Sequence, residues 1–424
     1  MLIDFSIQNY ASIKDEMTLS AETGERLSRL KAANTIVENG ISLLKSLVII
    51  GPNGSGKSNL IDGLHLMRSM VLNNPTRITD QLHYRPFALA EESQDDTINF
   101  RIKFNYAAGT YEYSFSFRQD KIVTEALKLV KKTTVETYFA RHEQTYSVLP
   151  HALKPIADTT KQNSLLLYNA QQANDQHAIA VMRWFQNELI FVDDTQIPDQ
   201  LVNLMKRPDI KSEFLRFLRF ADFNITDVTV REIPTPTFPD ELKKILDVIS
   251  PNAAIPTSSQ QLSAVHKKFN QTGDVIGTQE IPLSLESRGT QKVFLIALSI
   301  INAQLNGNGK TLLFDEFDDS LHFELSKALI QIFNSKQNKN QFILTTHELQ
   351  LLDANLRTDQ IYLMDKDFQG RSDLKSIFDF KDPKEKRPDI RYMKRYIEGR
   401  FGALPQIQVS EMLSALKASE TEVK

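Results

Sequence analysis

The sequence predicts an α/β fold in which a largely parallel sheet is joined to an antiparallel β subdomain and a helical insertion. An apolar run ending at Ile50 is followed by a glycine-rich loop and then by a segment of helical periodicity. Continuous apolar runs are typical of strands buried on both faces of a parallel sheet. Alternating residues after Thr97 indicate antiparallel strands, and helix and strand patterns alternate again from Leu283 onward.

Residues 1–134 are predicted to form an N-terminal lobe. Alternation at its start indicates a half-buried strand around Phe5. Two further alternating segments flank a turn at Ala107-Ala108-Gly109 and predict an antiparallel hairpin. The other elements expected in this lobe are the buried strand Leu43–Ile50, the helix Asn59–Met70, the hairpin strands Ile98–Phe104 and Tyr111–Phe117, and a third strand, Ile122–Val130.

Residues 135–280 are predicted to be a helical insertion, because Ala178–Ile190 and Lys211–Phe220 have helical patterns and prolines interrupt the rest. Residues 281–405 are predicted to complete the parallel sheet as a C-terminal lobe, and residues 406–424 to form a polar tail. The elements expected in the C-terminal lobe are the helices Gln291–Leu305 and Leu321–Phe333 and the strands Thr311–Phe314, Gln341–Thr345 and Ile361–Met364.

The composition is that of a globular protein, with 41% hydrophobic and 24% charged residues among 424 and a formal charge of −3. The chain has no cysteine, which excludes disulfides, thiolate metal sites and cysteine nucleophiles. The longest apolar run, around Val293–Ile301, is far shorter than the roughly 20 residues that cross a bilayer. No signal-peptide pattern opens the sequence, so we expect a cytoplasmic protein without membrane contact.

A phosphate-binding loop is predicted directly after the buried strand. Its glycines let successive backbone amides point at a polyphosphate, and the following helix adds its positive end. Lys57 is expected to reach the β- and γ-phosphates of ATP, and the Ser58 hydroxyl to hold Mg²⁺. The strand before the loop and the helix after it disfavour the alternative, a glycine turn that only caps a helix. The predicted nucleotide-binding residues are Gly51, Pro52, Asn53, Gly54, Ser55, Gly56, Lys57, Ser58 and Asn59.

Two acidic residues follow the predicted strand Thr311–Phe314. Asp315 is expected to bind Mg²⁺, usually through water, and Glu316 to polarise a water molecule for attack on the γ-phosphate. Solvated acids are also common at strand ends in α/β proteins. The order of these acids after a phosphate-binding loop favours the catalytic interpretation, and together the two motifs predict a nucleoside triphosphatase.

Two more motifs resemble those of ATP-binding-cassette (ABC) ATPases. His347 follows a strand after the acids and resembles the switch histidine that contacts the γ-phosphate. Ser287 and Gly289 precede an apolar helix and resemble a degenerate signature motif, which implies contact with the γ-phosphate of ATP held by another protomer. Serine is also a favoured helix cap, so a purely structural role for Ser287 is the alternative. Residues 317–322 resemble the dimer-contact loop of the same superfamily.

The order of these motifs resembles the AAA/ABC-like ATPases of prokaryotic anti-phage defence systems, in the RloA/AbiLi branch. The overcoming-lysogenization-defect ATPases are more distant relatives of that branch. The resemblance covers both ends of the chain and implies a P-loop NTPase fold of the ABC-ATPase head type. Besides the phosphate-binding loop, the segments that carry it are Phe5–Ile13, Pro86-Phe87, Glu286–Thr290, Thr346–Glu348, Arg357–Ile361 and Tyr396–Pro405.

This resemblance implies a subunit that binds and hydrolyses ATP with Mg²⁺. It places each ATP between one protomer and Ser287 of a second copy, so that the chain forms a homodimer or higher oligomer when ATP binds. Relatives in this branch act against phage, by abortive infection, through a separately encoded effector that is an RloB-like nuclease. The same partner is therefore the expectation for this chain.

Two other functions are compatible with parts of the sequence. A DNA-structure-sensing ATPase of the Rad50/RecF kind, acting in repair, would share the head, although no heptad pattern predicts a long coiled coil. A self-contained nuclease is rejected, because too few residues follow Ile361 to form an acidic metal-binding domain. Lys381–Arg400 has eight basic and four acidic residues with Tyr392 and Tyr396 among them. Nucleic-acid contact and a solvated or partner-docking helix are both open interpretations of it.

Overall fold

The structure, a computed structural model of the chain, describes residues 1–25, 27–131, 134–192, 197–221, 224–234, 258–380, 391–402 and 409–414. The helices are α1 (Lys31–Asn34), α2 (Lys57–Leu72), α3 (Glu91–Gln94), α4 (Lys154–Thr159), α5 (Leu166–Gln172), α6 (Gln176–Asn187), α7 (Asp199–Leu204), α8 (Pro208–Phe220), α9 (Arg288–Leu305), α10 (Phe323–Phe333) and α11 (Tyr392–Ile397). The strands are β1 (Leu2–Gln8), β2 (Met17–Ser20), β3 (Thr35–Glu38), β4 (Ile41–Leu44), β5 (Ser46–Ile50), β6 (Ile98–Tyr106), β7 (Gly109–Phe117), β8 (Ile122–Val130), β9 (Val135–His142), β10 (Thr145–Val148), β11 (Leu189–Val192), β12 (Ile225–Pro234), β13 (Ser258–Phe269), β14 (Val275–Pro282), β15 (Thr311–Phe314), β16 (Gln341–Thr346), β17 (Ile361–Lys366) and β18 (Ser372–Ser376).

A largely parallel sheet carries the elements that lead to the predicted site. Its strands lie in the order β11–β15–β16–β5–β17–β18, and all neighbours are parallel except β17 and β18. Every residue of β5, β15 and β16 is buried, and alternate residues enter two different hydrophobic cores. The predicted α/β class is therefore confirmed, and the strand Thr311–Phe314 has the predicted bounds.

An antiparallel sheet contains the predicted hairpin. Its order is β10–β9–β8–β7–β6–β1–β2, and the chain turns between β6 and β7 at Ala107, which has a φ of 51°. Because β1 pairs with β6, the first strand of the chain lies in this sheet and not in the parallel one. One face of the sheet packs in a core shared with α2, α5 and α6, where Phe104 stacks on Trp184 with 4.0 Å between ring centroids.

Residues 135–280 contain the predicted helices but are not purely helical. β9 and β10 extend the antiparallel sheet, β11 joins the parallel sheet, and β12–β14 form a separate three-stranded sheet. Ile190, expected at the end of a helix, lies in β11, where it pairs with Leu312. A run of four apolar residues is too short for periodicity to distinguish a strand from a helix end. The division of the chain into lobes stays a prediction.

The basic segment Lys381–Arg400 is partly described, because residues 381–390 lie outside the described residues, as does most of the predicted tail. Tyr392 and Tyr396 lie one turn apart in α11, are 5% and 1% exposed, and pack into a core of the parallel sheet. Their rings are therefore not available for base stacking, which corrects that part of the nucleic-acid interpretation. Among the described residues, no helix combines the length and the apolarity that crossing a bilayer requires.

Candidate nucleotide-binding site

Three parallel strands deliver the predicted site residues to one edge of the sheet. β5 leads into the phosphate-binding loop, β15 is followed by Asp315, and β16, which lies between them, is followed by His347. In register, Leu344 of β16 pairs with Phe314 on one side and with Val48 on the other. Because the three strands point the same way, the residues that follow them meet at the carboxyl edge, where open α/β sheets bind ligands.

The loop between β5 and α2 needs glycine at two positions for different reasons. Gly51 lies against β17, since an added Cβ would be 2.2 Å from the carbonyl oxygen of Met364. Gly56 has a φ of 107°, and its Cβ would be 2.3 Å from Ser372 Oγ. The residues at the crest of the loop are at least partly exposed, and they are Pro52, Asn53 and Gly54. The loop therefore follows a path that side chains would block.

A chain of hydrogen bonds supports the phosphate-binding loop. It is formed by Ser12, Ser372 and Asn59, and we call these three residues the serine brace. Ser372 Oγ donates to the carbonyl oxygen of Ser55 over 2.7 Å, and Ser12 Oγ lies 2.7 Å from Ser372 Oγ. Asn59 Nδ2, in the first turn of α2, donates to Ser12 Oγ over 2.7 Å. The serine brace thus joins the segment after β1, the start of β18 and the start of α2 under the loop.

Lys57 lies inside the loop and is 4% exposed. Its Nζ donates to the carbonyl oxygens of Gly51 and Pro52 over 2.8 and 3.1 Å. Burial lowers the pKa of Lys57, and the charges of Glu316 and Asp315 oppose that shift. Lys57 follows β5 and the two acids follow β15, and both strands flank β16 and end at the same edge of the sheet. The structure therefore brings the predicted phosphate-binding lysine and the predicted acids together.

Thr345 orders the acidic pair. Its hydroxyl donates to Asp315 Oδ1 and accepts from the Glu316 amide over 2.8 Å, and its carbonyl oxygen accepts from the Phe317 amide over 3.2 Å. Glu316 has a φ of 46°, a left-handed conformation that costs a non-glycine residue about 1–2 kcal/mol. Glu316 is exposed and Asp315 is half-buried. Strained backbone of this kind is concentrated at functional sites.

Asp318, which the sequence analysis assigned only to a dimer-contact loop, is a buried acid of this site. It is 8% exposed, and its Oδ2 accepts from Thr346 Oγ1 over 2.6 Å. Its Oδ1 is buried and has no hydrogen-bond partner within the described residues. Burial raises the pKa of Asp318, while the Thr346 hydrogen bond and the charge of His347 oppose the shift. His347 is exposed at the end of β16, on the same edge as the acids.

Ser287 and Gly289 lie at the amino end of α9. Ser287 Oγ accepts from the Thr290 amide over 3.1 Å, so the serine caps the helix. Gly289 packs against the loop after the acids, since an added Cβ would be 2.6 Å from the carbonyl oxygen of Ser320. In the described chain, no hydrogen bond or ion pair connects Ser287 to the phosphate-binding loop. The helix-cap interpretation is therefore correct for Ser287, and contact with a nucleotide of a second copy stays a prediction.

The Arg357–Ile361 motif serves the fold. Arg357 and Asp359 form a buried bidentate pair over 2.9 and 2.6 Å, and Arg357 also donates to the carbonyl oxygens of Leu27 and Arg29. These contacts fix the segment between β2 and α1. The motif is therefore structural in this chain.

Sequence reasoning missed several residues that hold the site. Thr345 and Thr346 give a weak signal, because two hydroxyls end an otherwise apolar strand. Lys292 gives a stronger one, because it is a charged residue within the apolar pattern of α9, and it is 6% exposed. Ser372 gives none, since its role depends on a loop that is 317 residues away in the chain.

The oxygen donors at the site fit Mg²⁺ that is bound together with a nucleotide. The hydroxyl-bearing Ser58 is exposed in the first turn of α2, and Asp315 supplies a carboxylate. Mg²⁺ usually keeps several waters and takes one or two protein oxygens plus phosphate oxygens. Within the described residues, no group of three or more histidine or acidic side chains could hold a metal ion by itself. Phosphate oxygens of the nucleotide would complete the coordination of the ion.

Comparisons with known proteins agree with this geometry. The family described as "AAA domain, putative AbiEii toxin, Type IV TA system" matches residues 46–353, from the start of β5 to beyond His347. The chain is 21% identical over 352 residues to an "ATP/GTP phosphatase" from Helicobacter pylori, a match that covers 77% of this chain and 85% of the relative.

Two solved structures are also similar to the chain. One is the SMC head bound to the C-winged helix domain of ScpA, with a TM-score of 0.46 and 13% identity over 88% of this chain and 97% of that chain. The other is the SMC head domain from Thermotoga maritima, with a TM-score of 0.40 and 15% identity over 88% of this chain and 98% of that chain.

Proposed function

The chain belongs to the AAA-domain family of the AbiEii-toxin type, and we propose that it is the ATP-binding and ATP-hydrolysing subunit of a prokaryotic anti-phage defence system. The fold is that of a P-loop ATPase of the ABC head type with an antiparallel subdomain. The proposed system is of the abortive-infection type, in the RloA/AbiLi branch that the motifs resemble. The family description names a toxin of a toxin–antitoxin system, which supports a role in defence.

The observation that carries the ATPase proposal is that Lys57, Asp315 and Glu316 follow parallel strands that end at one edge of the sheet. A buried ammonium group inside a loop of backbone amides suits a polyphosphate, and the positive end of α2 adds to the attraction. An exposed acid at the end of β15 suits a role as general base. The pair of features supports phosphoryl transfer to water.

Each residue has a distinct role in the proposed reaction. Lys57 exchanges its two carbonyl partners for phosphate oxygens, while Ser58 and Asp315 hold Mg²⁺, which neutralises phosphate charge. Glu316 accepts a proton from the attacking water, and His347 contacts the γ-phosphate. Glu316 has a left-handed backbone and an exposed side chain directly after β15, which leaves its carboxylate accessible to water.

ATP is proposed to join two copies of the chain. Ser287 and Gly289 line an open cavity of about 770 Å³ together with Ser320. The amino end of α9 can therefore offer its amides and positive end to the γ-phosphate of a nucleotide held by a second copy. Loss of that phosphate after hydrolysis would reopen the pair, because the closed state binds ATP more tightly than ADP.

The output is proposed to be control of a separately encoded effector, an RloB-like nuclease. The support is the motif resemblance at both ends of the chain, from Phe5–Ile13 to Tyr396–Pro405. In this proposal the closed and open forms of the dimer present different surfaces to the effector. The nuclease is thereby switched by the nucleotide state of the ATPase.

The substitution Glu316→Gln tests the ATPase proposal. Turnover of ATP should fall about 10²–10⁴-fold, the usual contribution of a general base, while ATP affinity is retained because Lys57 and the loop are unchanged. Phosphate release and equilibrium ATP binding measure the two quantities. Wild-type turnover in the variant would contradict the role of Glu316, and absence of turnover by the wild-type protein with Mg²⁺ would contradict the proposal itself.

The same Glu316→Gln protein tests the dimer and the effector. With ATP, light scattering should report a dimer or larger oligomer that the added substitution Ser287→Arg prevents without changing ATP affinity. A pull-down from the native cells, with and without nuclease treatment, should recover a stoichiometric second protein that survives nuclease. Retention of nucleic acid without such a protein would overturn the effector proposal in favour of DNA sensing.

A further inference from the structure

We propose that Lys292 is a positioning residue that couples the amino end of α9 to the catalytic carboxylate of Glu316. Lys292 lies in the second turn of α9 and is 6% exposed. Its Nζ donates to the main-chain carbonyl oxygen of Glu316 over 2.9 Å. This inference rests on the proposed function, because it concerns how the proposed general base is held.

The bond from Lys292 supports the strained backbone of Glu316. The same carbonyl oxygen also accepts from the Asp319 amide over 3.0 Å, and the Glu316 amide donates to Thr345 over 2.8 Å. Both peptide groups around the Glu316 Cα are therefore held, which fixes the direction of its Cα–Cβ bond. A left-handed residue persists only where its surroundings over-determine it. Loss of the Lys292 bond would leave the second peptide held by the Asp319 and Phe317 amides alone, and the resulting shift of this peptide would displace the carboxylate.

A second contact joins the same helix end to the same loop. Gly289 lies three residues before Lys292, and its Cβ position is 2.6 Å from the carbonyl oxygen of Ser320. The helix rise separates Gly289 and Lys292 by about 4.5 Å along α9. A movement of the amino end of α9 must therefore also move residues 316–320. Since Ser287 begins this helix end, a second copy that binds Ser287 acts on Glu316 through Lys292 and Gly289.

The chemistry of lysine is what the position requires. A buried ammonium group is costly unless it is hydrogen-bonded, and an apolar side chain of similar length would avoid that cost. The carbonyl oxygen of Glu316 accepts from the Asp319 amide and can accept a second hydrogen bond from a donor on α9. Lysine can make this second bond because it combines a long aliphatic stem, here buried, with a charged donor at its end.

Lys45 provides a matched control. It is also buried, at 3% exposure, and its Nζ also donates to a main-chain carbonyl oxygen, that of Ser335, over 2.6 Å. It precedes β5 and therefore lies at the amino edge of the sheet, opposite the phosphate-binding loop. A purely structural role for a buried lysine should give the same result at both positions.

The test compares Lys292→Met, Lys292→Arg and Lys45→Met in steady-state ATP hydrolysis and thermal unfolding. Lys292→Met should lower kcat about 10²-fold, the cost of displacing a catalytic group by about 1 Å, with KM within about threefold of wild type. Lys292→Arg, which keeps a charged donor, should recover most of kcat. Lys45→Met should lower the melting temperature and leave kcat unchanged. In the Glu316→Gln background, adding Lys292→Met should change the residual turnover by less than about threefold, because the group it positions has already been removed.

Several results would overturn the inference and leave the proposed function intact. They are wild-type kcat in Lys292→Met, an equal loss of kcat in Lys45→Met, and full additivity with Glu316→Gln. Should Lys292→Met fail to fold, Lys292→Gln replaces it, because its shorter side chain cannot reach the carbonyl oxygen and the same loss of kcat is expected. Absence of ATP hydrolysis by the wild-type protein would instead overturn the proposed function.

Discussion

Glu125 and Asp318 are both buried acids, but their surroundings differ. Glu125, at 1% exposure, accepts hydrogen bonds from Tyr113, from Arg141 and from the amides of Leu166 and Leu167. Asp318 accepts one side-chain hydrogen bond, from Thr346, and its other oxygen has no partner within the described residues. The first acid lies in the antiparallel sheet and the second at the nucleotide edge of the parallel sheet.

The difference distinguishes a structural network in the antiparallel sheet from the candidate site at the edge of the parallel sheet. The Glu125 network joins β7, β8, β9 and the start of α5, and both oxygens of its carboxylate are satisfied. Such a network fixes one arrangement of the chain. At the nucleotide edge, Asp318 Oδ1 and Ser55 Oγ are buried without partners in the described chain, and Glu316 is left-handed. Unpartnered and left-handed groups also occur in the antiparallel half, at Ser164 Oγ and Ala107, so the difference lies in the two acids themselves: within the described residues, the carboxylate of Glu125 is fully paired and that of Asp318 is not.

The largest effect, on the free energy of unfolding, is expected from Arg141→Met, which removes the cation of the Glu125 network. The substitution leaves the fully buried Glu125 carboxylate without its cation and should lower the free energy of unfolding by about 3–5 kcal/mol. Urea unfolding measures it. ATP affinity of the folded protein should not change, because the network does not touch the phosphate-binding loop.

Arg216→Met is the control for that experiment. Arg216 pairs with Glu213 on the surface, with side-chain exposures of 61% and 69%, so its loss should cost less than about 1 kcal/mol. If the two substitutions lowered the free energy of unfolding equally, burial of the Glu125–Arg141 ion pair would not be what stabilises the antiparallel sheet.

A smaller effect is expected from Gly56→Ala, which places a methyl group between the phosphate-binding loop and the serine brace. The added methyl group meets Ser372 Oγ at 2.3 Å and Ser12 Oγ at 2.7 Å, in a backbone conformation with a φ of 107°. The backbone strain alone should cost about 1–2 kcal/mol, and displacement of the serine brace should weaken ATP binding at least about tenfold. Urea unfolding and equilibrium ATP binding measure the two effects.

Gly54→Ala is the control that separates the effect of backbone strain from the effect of the steric clash with the serine brace. Gly54 has a φ of 78°, and its Cβ position has no atom within 4 Å, so the variant has backbone strain without a collision. Any loss of ATP affinity in Gly56→Ala beyond that in Gly54→Ala therefore measures the contribution of the serine brace. If both variants lose the same affinity, the serine brace does not shape the loop.

The smallest effect is expected from Asp318→Asn, and its sign depends on pH. Because burial raises the pKa of Asp318, the folded state keeps this proton at pH values where the unfolded chain has lost it. Wild-type stability therefore decreases as the pH rises from about 4 through the raised pKa, and the variant lacks this contribution. The variant should gain stability relative to wild type between pH 4.5 and pH 7.5 in urea unfolding. Asp319→Asn, which changes an exposed neighbour, should show no such gain.

The elements that sequence predicted best are those whose pattern is local. Thr311–Phe314 is a strand in which three consecutive apolar residues are followed by two acids. Gly51–Gly56 forms a loop because its closely spaced glycines disfavour a continuous strand or helix. The order of these segments also predicted that their residues meet, since parallel strands share a carboxyl edge. The phosphate-binding loop and the acidic pair therefore needed no long-range information.

The parts that sequence could not predict depend on partners far apart in the chain. Ile190 lies in a strand because it pairs with Leu312, which the local pattern does not contain. Tyr392 and Tyr396 are buried because a core formed by other segments covers them. Lys292 could have been singled out as a charge in an apolar helix, but its partner, the Glu316 carbonyl oxygen, is set by tertiary packing.

The serine brace has a consequence for how the protein is made. Ser55 and Ser372 are 317 residues apart, so a ribosome working at about 5–20 residues per second completes the loop about 15–60 s after it has synthesised the glycines. Until then the nascent chain lacks the hydroxyl that holds the Ser55 carbonyl. Truncated or stalled chains thus carry the phosphate-binding sequence without its supported shape. The hydrogen-bonded support of the phosphate-binding loop is therefore among the last parts of this edge of the sheet to form during synthesis.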